Sequence, residues 1–255
     1  MKKFLLSLIL AVSLVSSSWA GVLFDNVDDI MSNESFADIG GVSSGCAWIK
    51  PVSTGEGTFG RIFHASTSDD VTDVAMEMSP TNAFGFFVGW SGPDGEWDSN
   101  NNTAILNAWN HYCYTYSAVA GVAPLIYING SSVNVNSIGG TTSGTPNVTD
   151  EIDVGNRESA ARTFDGTIGD LAIWSVVLTA SEISVLYTSN VKHMPLQIQE
   201  SNLVAYWALD DEEDGSSADA DTFIDLSGNG YTLTGADGAN NTGLTSKAEA
   251  VLSYP

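Results

Sequence analysis

From residue 22 onward, short runs rich in Val, Ile, Phe, Tyr and Trp alternate with clusters of Gly, Ser, Asn and Thr. That rhythm marks strands separated by tight turns, and its regular return predicts an all-β sandwich. The predicted strands are VLFD (22–25), CAWIKPV (46–52), RIFHAS (61–66), FGFFVGW (84–90), HYCYTYS (111–117), PLIYING (124–130), EIDVG (151–155) and TIGDLAIWSVVL (167–178). Gly92-Pro93-Asp94-Gly95 should fold FGFFVGW back onto EWDS, because glycine and aspartate tolerate the backbone angles of a tight reversal. Trp48, Trp109, Trp174 and Trp207 fall within strand patterns and read as core.

One helix interrupts the strands. Thr179-Ala180-Ser181-Glu182 is a capping box, in which the threonine oxygen receives an amide three residues on and the glutamate reaches back. Ile183, Leu186 and Tyr187 then share a face that should pack on the sandwich. Near Pro195 the composition shifts. Residues 195–202 read as a connector, 203–209 as a strand, and an acidic loop and a Gly, Asn and Ala-rich tail follow.

The first twenty residues, MKKFLLSLILAVSLVSSSWA, place Lys2 and Lys3 before an apolar run and end in small residues. They read as a secretory signal peptide cut after Ala20, so the chain is expected in the periplasm or outside the cell. No later segment is long and apolar enough to predict membrane insertion. Losing Lys2 and Lys3 leaves six basic residues against 31 acidic ones, a net of −25. Nucleic acid is excluded as a partner by that charge.

The two cysteines, Cys46 and Cys113, permit one disulfide in an exported chain, and closing so long a loop stabilises by about 4 kcal/mol in the chain-entropy account. His64, His111 and His193 have no neighbour at zinc-like spacing. Gly41-Val42-Ser43-Ser44-Gly45 matches the hydrolase elbow by letter, but that motif needs a strand before it and a helix after it. Here a strand follows, so the stretch reads as a flexible approach to CAWIKP.

Three stretches together carry a family resemblance. RTFDGTIGDLAIWSVVLTASEISVLY (162–187) is similar to the closing strand and helix of laminin G-like and pentraxin-like domains. AWNHYCYTYS…LIYING resembles their central hairpin, and VLFDNVDDIM their opening hairpin. The resemblance covers residues 22 to about 190. It implies a two-sheet antiparallel jelly roll of the concanavalin A type over residues 21–194, with one short helix. It also implies a disulfide between Cys46 and Cys113, which stand where pentraxins have their single intradomain bond. The pentraxin calcium motif corresponds to Asn156-Arg157-Glu158-Ser159, where a cation replaces a carboxylate ligand. Ser201 to Gly235 resembles the segment that normally opens such a module, so residues 195–255 are expected to complete the same sandwich. Donation of that strand to another copy, giving self-association, is the alternative.

Candidate chemistry follows. Glu151-Ile152-Asp153-Val154 begins a glucanase-like signature, yet retaining hydrolysis needs two carboxyls about 5 Å apart. The places of the second acid hold Gly155 and Asn156, so the chain is expected to be no enzyme. For sugar recognition, Trp97 beside Asn100 and Asn101 offers an aromatic face with hydrogen-bonding neighbours. A structural calcium is implied by the resemblance at Asp170, with Asp225 and Asp28 as further oxygen donors, and turn-stabilising hydrogen bonds are the competing role for those acids. The expected function is a secreted lectin-like module that binds carbohydrate or a glycosylated surface. The alternatives are a surface or particle-decorating subunit joined through its C-terminal strand, and a degenerate β-glucanase.

Overall fold

A computed structural model describes residues 19–67, 73–157, 161–189, 191, 193–210, 222–236 and 245–249. Most of the expected signal peptide, Glu158-Ser159 and the acidic run beyond Asp210 lie outside the described residues. In chain order the strands are β1 (Trp19–Asp25), β2 (Ile30–Asn33), β3 (Ser43–Pro51), β4 (Arg61–Ser66), β5 (Val74–Ser79) and β6 (Ala83–Val88). Next come β7 (Gly95–Ser99), β8 (Asn110–Tyr116), β9 (Leu125–Ile128), β10 (Ser131–Val133), β11 (Val135–Ser137) and β12 (Glu151–Val154). β13 (Asp165–Trp174) leads into helix α1 (Ala180–Thr188). Then follow β14 (Leu203–Trp207), β15 (Thr222–Phe223), β16 (Leu233–Ala236) and β17 (Thr245–Glu249).

They form two antiparallel sheets. The first runs β10-β9-β8-β3-β13-β1-β17, with β14 also on β13, and the second runs β11-β7-β6-β5-β4-β12-β2-β16-β15. This is the all-β sandwich that the strand rhythm predicts, in the jelly-roll form that the resemblance implies. β1 and β14 share one edge of β13, β1 along Asp165–Ile168 and β14 along Leu171–Trp174. Between them the ladder slips at a bulge, where Asp170 takes a positive φ of 46°. The strand from the C-terminal segment thus pairs within its own chain.

Alternation along each strand aims one set of side chains between the sheets. Phe84 stacks on Tyr112 at 4.6 Å and Phe86 on Tyr114 at 4.2 Å, joining the sheets through aromatic pairs. A smaller apolar cluster covers the other face of the first sheet. Cys46, Cys113, Trp174 and Tyr206 lie there beneath Ile183 and Leu186 of α1. The capping box forms, with Glu182 N–H donating to Thr179 Oγ1 and Thr179 N–H to Glu182 Oε2. Cys46 faces Cys113 across the β3–β8 ladder and the two are bonded, 67 residues apart in sequence.

Two readings differ. Trp109 is half-buried at a loop rather than core. Strand β5, VAMEMS, is absent from the predicted set, because alanine, methionine and glutamate favour helix and hide the alternation of Val74, Met76 and Met78. Among the described residues no helix is long and apolar enough to cross a membrane.

Candidate functional site

The face of the second sheet turned away from the core carries two rows of side chains set by strand register. One row passes through Ser32, Asp153, His64, Ala75, Phe87 and Glu96. The other passes through Arg61, Glu77, Gly85, Asp98 and Asn136. Their alternate neighbours Phe63, Met76, Phe86 and Val154 point inward, so a polar set is held on a rigid apolar backing.

On this face, Ser32 donates to Asp153 Oδ1 at 2.6 Å and Ser66 to Glu151 Oε1 at 2.6 Å. Arg61 pairs with Glu77, and the Ser79 hydroxyl donates to Asp98 Oδ2. His64 Nδ1 stands 3.8 Å from Asp153 Oδ2, beyond hydrogen-bond reach. Gly85 leaves a gap between two acids. A Cβ there would lie 2.9 Å from Glu77 Cγ and 3.0 Å from Asp98 Oδ1, so the carboxylates converge over bare backbone. Burial raises the Asp98 pKa, with the Ser79 bond pulling the other way. Burial, and then the charge of Asp98, raise Glu96. Burial pushes the Arg61 guanidinium down to about 9, helped by repulsion from Arg162 and Arg157, which still leaves a cation at neutral pH.

Several of these groups have unfilled hydrogen-bonding capacity. Both ring nitrogens of His64, Arg61 Nε and Asp98 Oδ1 are buried without a hydrogen bond among the described residues. His64 is only 1% exposed. Buried polar atoms are nearly always bonded, so this set leaves hydrogen-bonding capacity unused on the outer face of the second sheet among the described residues. The sequence reading missed Glu77, Asp98, Arg61 and His64 as a set. A signal was present in strand-like RIFHAS, where Arg61 and His64 mark the face that is not core, whereas Glu77 lay in a stretch whose residues favour helix.

The residues singled out from sequence are placed as follows. Glu151 and Asp153 lie on β12, each held by a serine, and no second acid follows them. Gly155 turns the chain at φ 82°, where a Cβ would be 1.8 Å from the Phe24 ring. Asn156 is fully buried and binds Thr163 Oγ1 and the amides of Arg157 and Arg162. Trp97 is no exposed platform. It is 5% exposed, because its side of β7 faces the core, where its ring is 6.3 Å from that of Tyr116. Asn100 and Asn101 are exposed in the turn that follows.

The three predicted metal donors are not brought together. Asp225 is saturated by the chain: it accepts from the amides of Tyr206, Ser227 and Tyr231 and from the Ser227 hydroxyl. Asp170 accepts from the Tyr206 hydroxyl. Asp28 alone belongs to an acid group, since it, Asp25 and Asp29 place one oxygen each within 4.8 Å of one another. Ser43 lies in strand β3 and receives the Tyr114 hydroxyl at 3.2 Å, so no nucleophile elbow exists. His111 is enclosed between Trp48 and Tyr187, and burial pushes its pKa down to about 3.

The sandwich and its sheet-borne polar face define a lectin- or glucanase-type jelly roll. Residues 30–184 match the family model of the concanavalin A-like lectin/glucanases superfamily, and the chain belongs to it. Among solved structures, it superposes with a TM-score of 0.60 and 16% identity on a Bacteroides ovatus protein provisionally described as carbohydrate binding. That match covers 91% of this chain and 60% of the Bacteroides chain, so the chain spans less than two thirds of that protein. A tailspike protein of Escherichia coli O157:H7 bacteriophage CAB120 matches with a TM-score of 0.52 and 11% identity, over 75% of this chain and 27% of its own. A heptameric SAP-like pentraxin from Limulus polyphemus gives 0.48 and 17%, over 68% and 83% of the two chains. At such identities the likeness is one of fold. No curated protein matches the chain in sequence.

Proposed function

We propose that the chain is an exported, non-catalytic carbohydrate-binding module whose glycan lies along the outer face of the second sheet. One observation carries this reading: among the described residues neither ring nitrogen of buried His64 is hydrogen-bonded, and Arg61 Nε and Asp98 Oδ1 on the same face are likewise unfilled. Sugar hydroxyls both donate and accept, and that mixed set of donors and acceptors suits them. The strong negative charge favours neutral glycans over acidic ones. The family includes lectins, and the Bacteroides relative's description agrees.

A glycoside hydrolase is the second reading, favoured by the convergence of Glu77 and Asp98 over Gly85. A retaining enzyme needs one ionised and one protonated carboxyl, and here Glu77 pairs with Arg61 while burial raises the Asp98 pKa. The Arg61 pair, however, occupies the would-be nucleophile. Retention on neutral polysaccharides in affinity electrophoresis tests both readings. His64→Ala and Asp98→Ala should each weaken retention about tenfold, the cost of one or two lost hydrogen bonds. Absence of retention would sink the binding reading, and release of reducing ends that stops in Glu77→Gln would replace it with the enzyme.

Calcium is assigned to the carboxylates of Asp25, Asp28 and Asp29, whose mutual repulsion a divalent cation would relieve. Chelation should lower the melting temperature of the wild type and leave Asp28→Asn unmoved, because a ligand of the folded state alone raises stability. Equal melting of wild type with and without chelator removes the assignment.

A further inference from the structure

Trp97 has a second face to its story. Trp90, Trp174 and Trp207 are buried tryptophans whose indole N–H groups donate to Tyr116 Oη at 3.0 Å, Ile198 O at 2.8 Å and Tyr231 O at 2.7 Å. Trp97 is 5% exposed as a whole; its N–H donates to no acceptor among the described residues and is not among their buried unpartnered atoms, so the nitrogen lies on the part of the ring that the core leaves open. The part of Trp97 that the core leaves uncovered borders a cavity of about 150 Å3, whose walls include Gly121, Ala123, Ser137, Thr141 and Thr142.

The walls of this cavity are fixed. Ser137 is the register partner of Trp97 across β11 and β7. The amides of Ile138 and Gly139 donate to Glu96 O at 2.9 and 3.2 Å, pinning the loop that leaves β11. Thr142 Oγ1 receives the amide of Gly121 at 2.8 Å and so joins that loop to the one between β8 and β9. Gly95 lets the indole lie flat, since a Cβ there would stand 2.1 Å from Trp97 Cη2. None of the lining residues is ionisable. A water occupies about 30 Å3 of liquid, so the space holds several waters or one small ring.

We propose that this cavity is a separate subsite for a single neutral sugar residue, in which the Trp97 N–H donates to a sugar oxygen and the Ser137 and Thr141 hydroxyls complete the contacts. One aromatic wall, hydroxyls and exposed glycine backbone suit a polyol, and the absence of charge rejects an acidic sugar, whose carboxylate would find no counter-ion. The subsite is distinct from the groove. Trp97 and Asp98 are neighbours on β7 and point to opposite sides of the sheet. The choice of a sugar as ligand rests on the carbohydrate reading above; the cavity and the unpaired indole do not.

The test is saturation-transfer NMR on the full chain with glucose, galactose, mannose and arabinose, and with glucuronic acid as the charged control. The expected result is a signal from at least one neutral sugar and none from glucuronic acid. That signal should vanish in Thr141→Trp and in Ala123→Phe, two exposed-wall changes that fill the cavity, and persist in His64→Ala. Trp97→Phe, which keeps a ring and removes the donor, should weaken it about tenfold. Folding of each variant is checked by its melting transition, and the two filling variants act independently. A neutral-sugar signal that survives both fillers overturns the subsite. So does the lack of any monosaccharide signal while polysaccharide retention remains, which would leave the groove reading intact. Loss of both monosaccharide and polysaccharide binding in the wild type would sink the two together.

Discussion

At the scale of single residues, the histidines divide the protein between stability and recognition. His111 fills a slot between Trp48 and Tyr187 beside the disulfide, and burial holds its folded pKa at about 3 against an ordinary 6.5. A lowered folded pKa means that the unfolded chain takes up the proton first. The stability is fully present above pH 6.5 and drains as pH falls toward 3, at about 1.4 kcal/mol per pH unit. Asp98 acts in the opposite sense. Its folded pKa is raised, so its contribution is complete below the ordinary aspartate value and is lost as pH rises through the raised one. Denaturant titrations from pH 7 to 4 should therefore show a flatter decline in His111→Phe, which keeps the ring volume, and a steeper one in Asp98→Asn. A His111→Phe profile parallel to that of the wild type would mean that His111 is not the buried neutral group described.

Among the elements, β13 holds the molecule together. β3 lies along one of its edges and β1 and β14 share the other, so the strand built from residues near 170 joins the start, the middle and the end of the chain. The positive φ of Asp170 and the bulge beside it allow two strands to follow one another along that edge. Removing residues 195–255 would uncover Leu171–Trp174 and take away the Ile198 carbonyl that receives the Trp174 indole. An uncovered apolar edge invites pairing with another chain. The truncated protein should lose cooperative melting and run as aggregate in size exclusion; a monomer melting like the full chain would show that the C-terminal segment is dispensable. The capping box of α1 was legible letter by letter, because its hydrogen bonds join residues three apart. The edge sharing was not, since it joins residues 171–174 to 203–207 through geometry that only the folded sheet supplies.

For the whole molecule, 31 acids against 8 bases set a self-repulsion that salt screens. The melting temperature should rise from low to molar sodium chloride, by about 2–4 °C for each kcal/mol relieved in a domain of this size. A flat response would show that the acids are already compensated within the fold. The same charge explains why both proposed sugar sites suit neutral ligands. The sequence by itself determined the all-β layer class and the helix start, because strand alternation and capping are written in local spacing and residue type; the sulfur bridge was what the family resemblance implied, and the β3–β8 register makes it. It also showed that no second acid follows Glu151 and Asp153, and the folded chain adds why: Phe24 fills the space beside Gly155. Only the tertiary structure decided which side of β7 faces the core, turning Trp97 inward and Asp98 outward, and which acids meet across a strand. Those outcomes depend on register between strands remote in sequence, and one residue of slip would exchange every inward side chain for its outward neighbour.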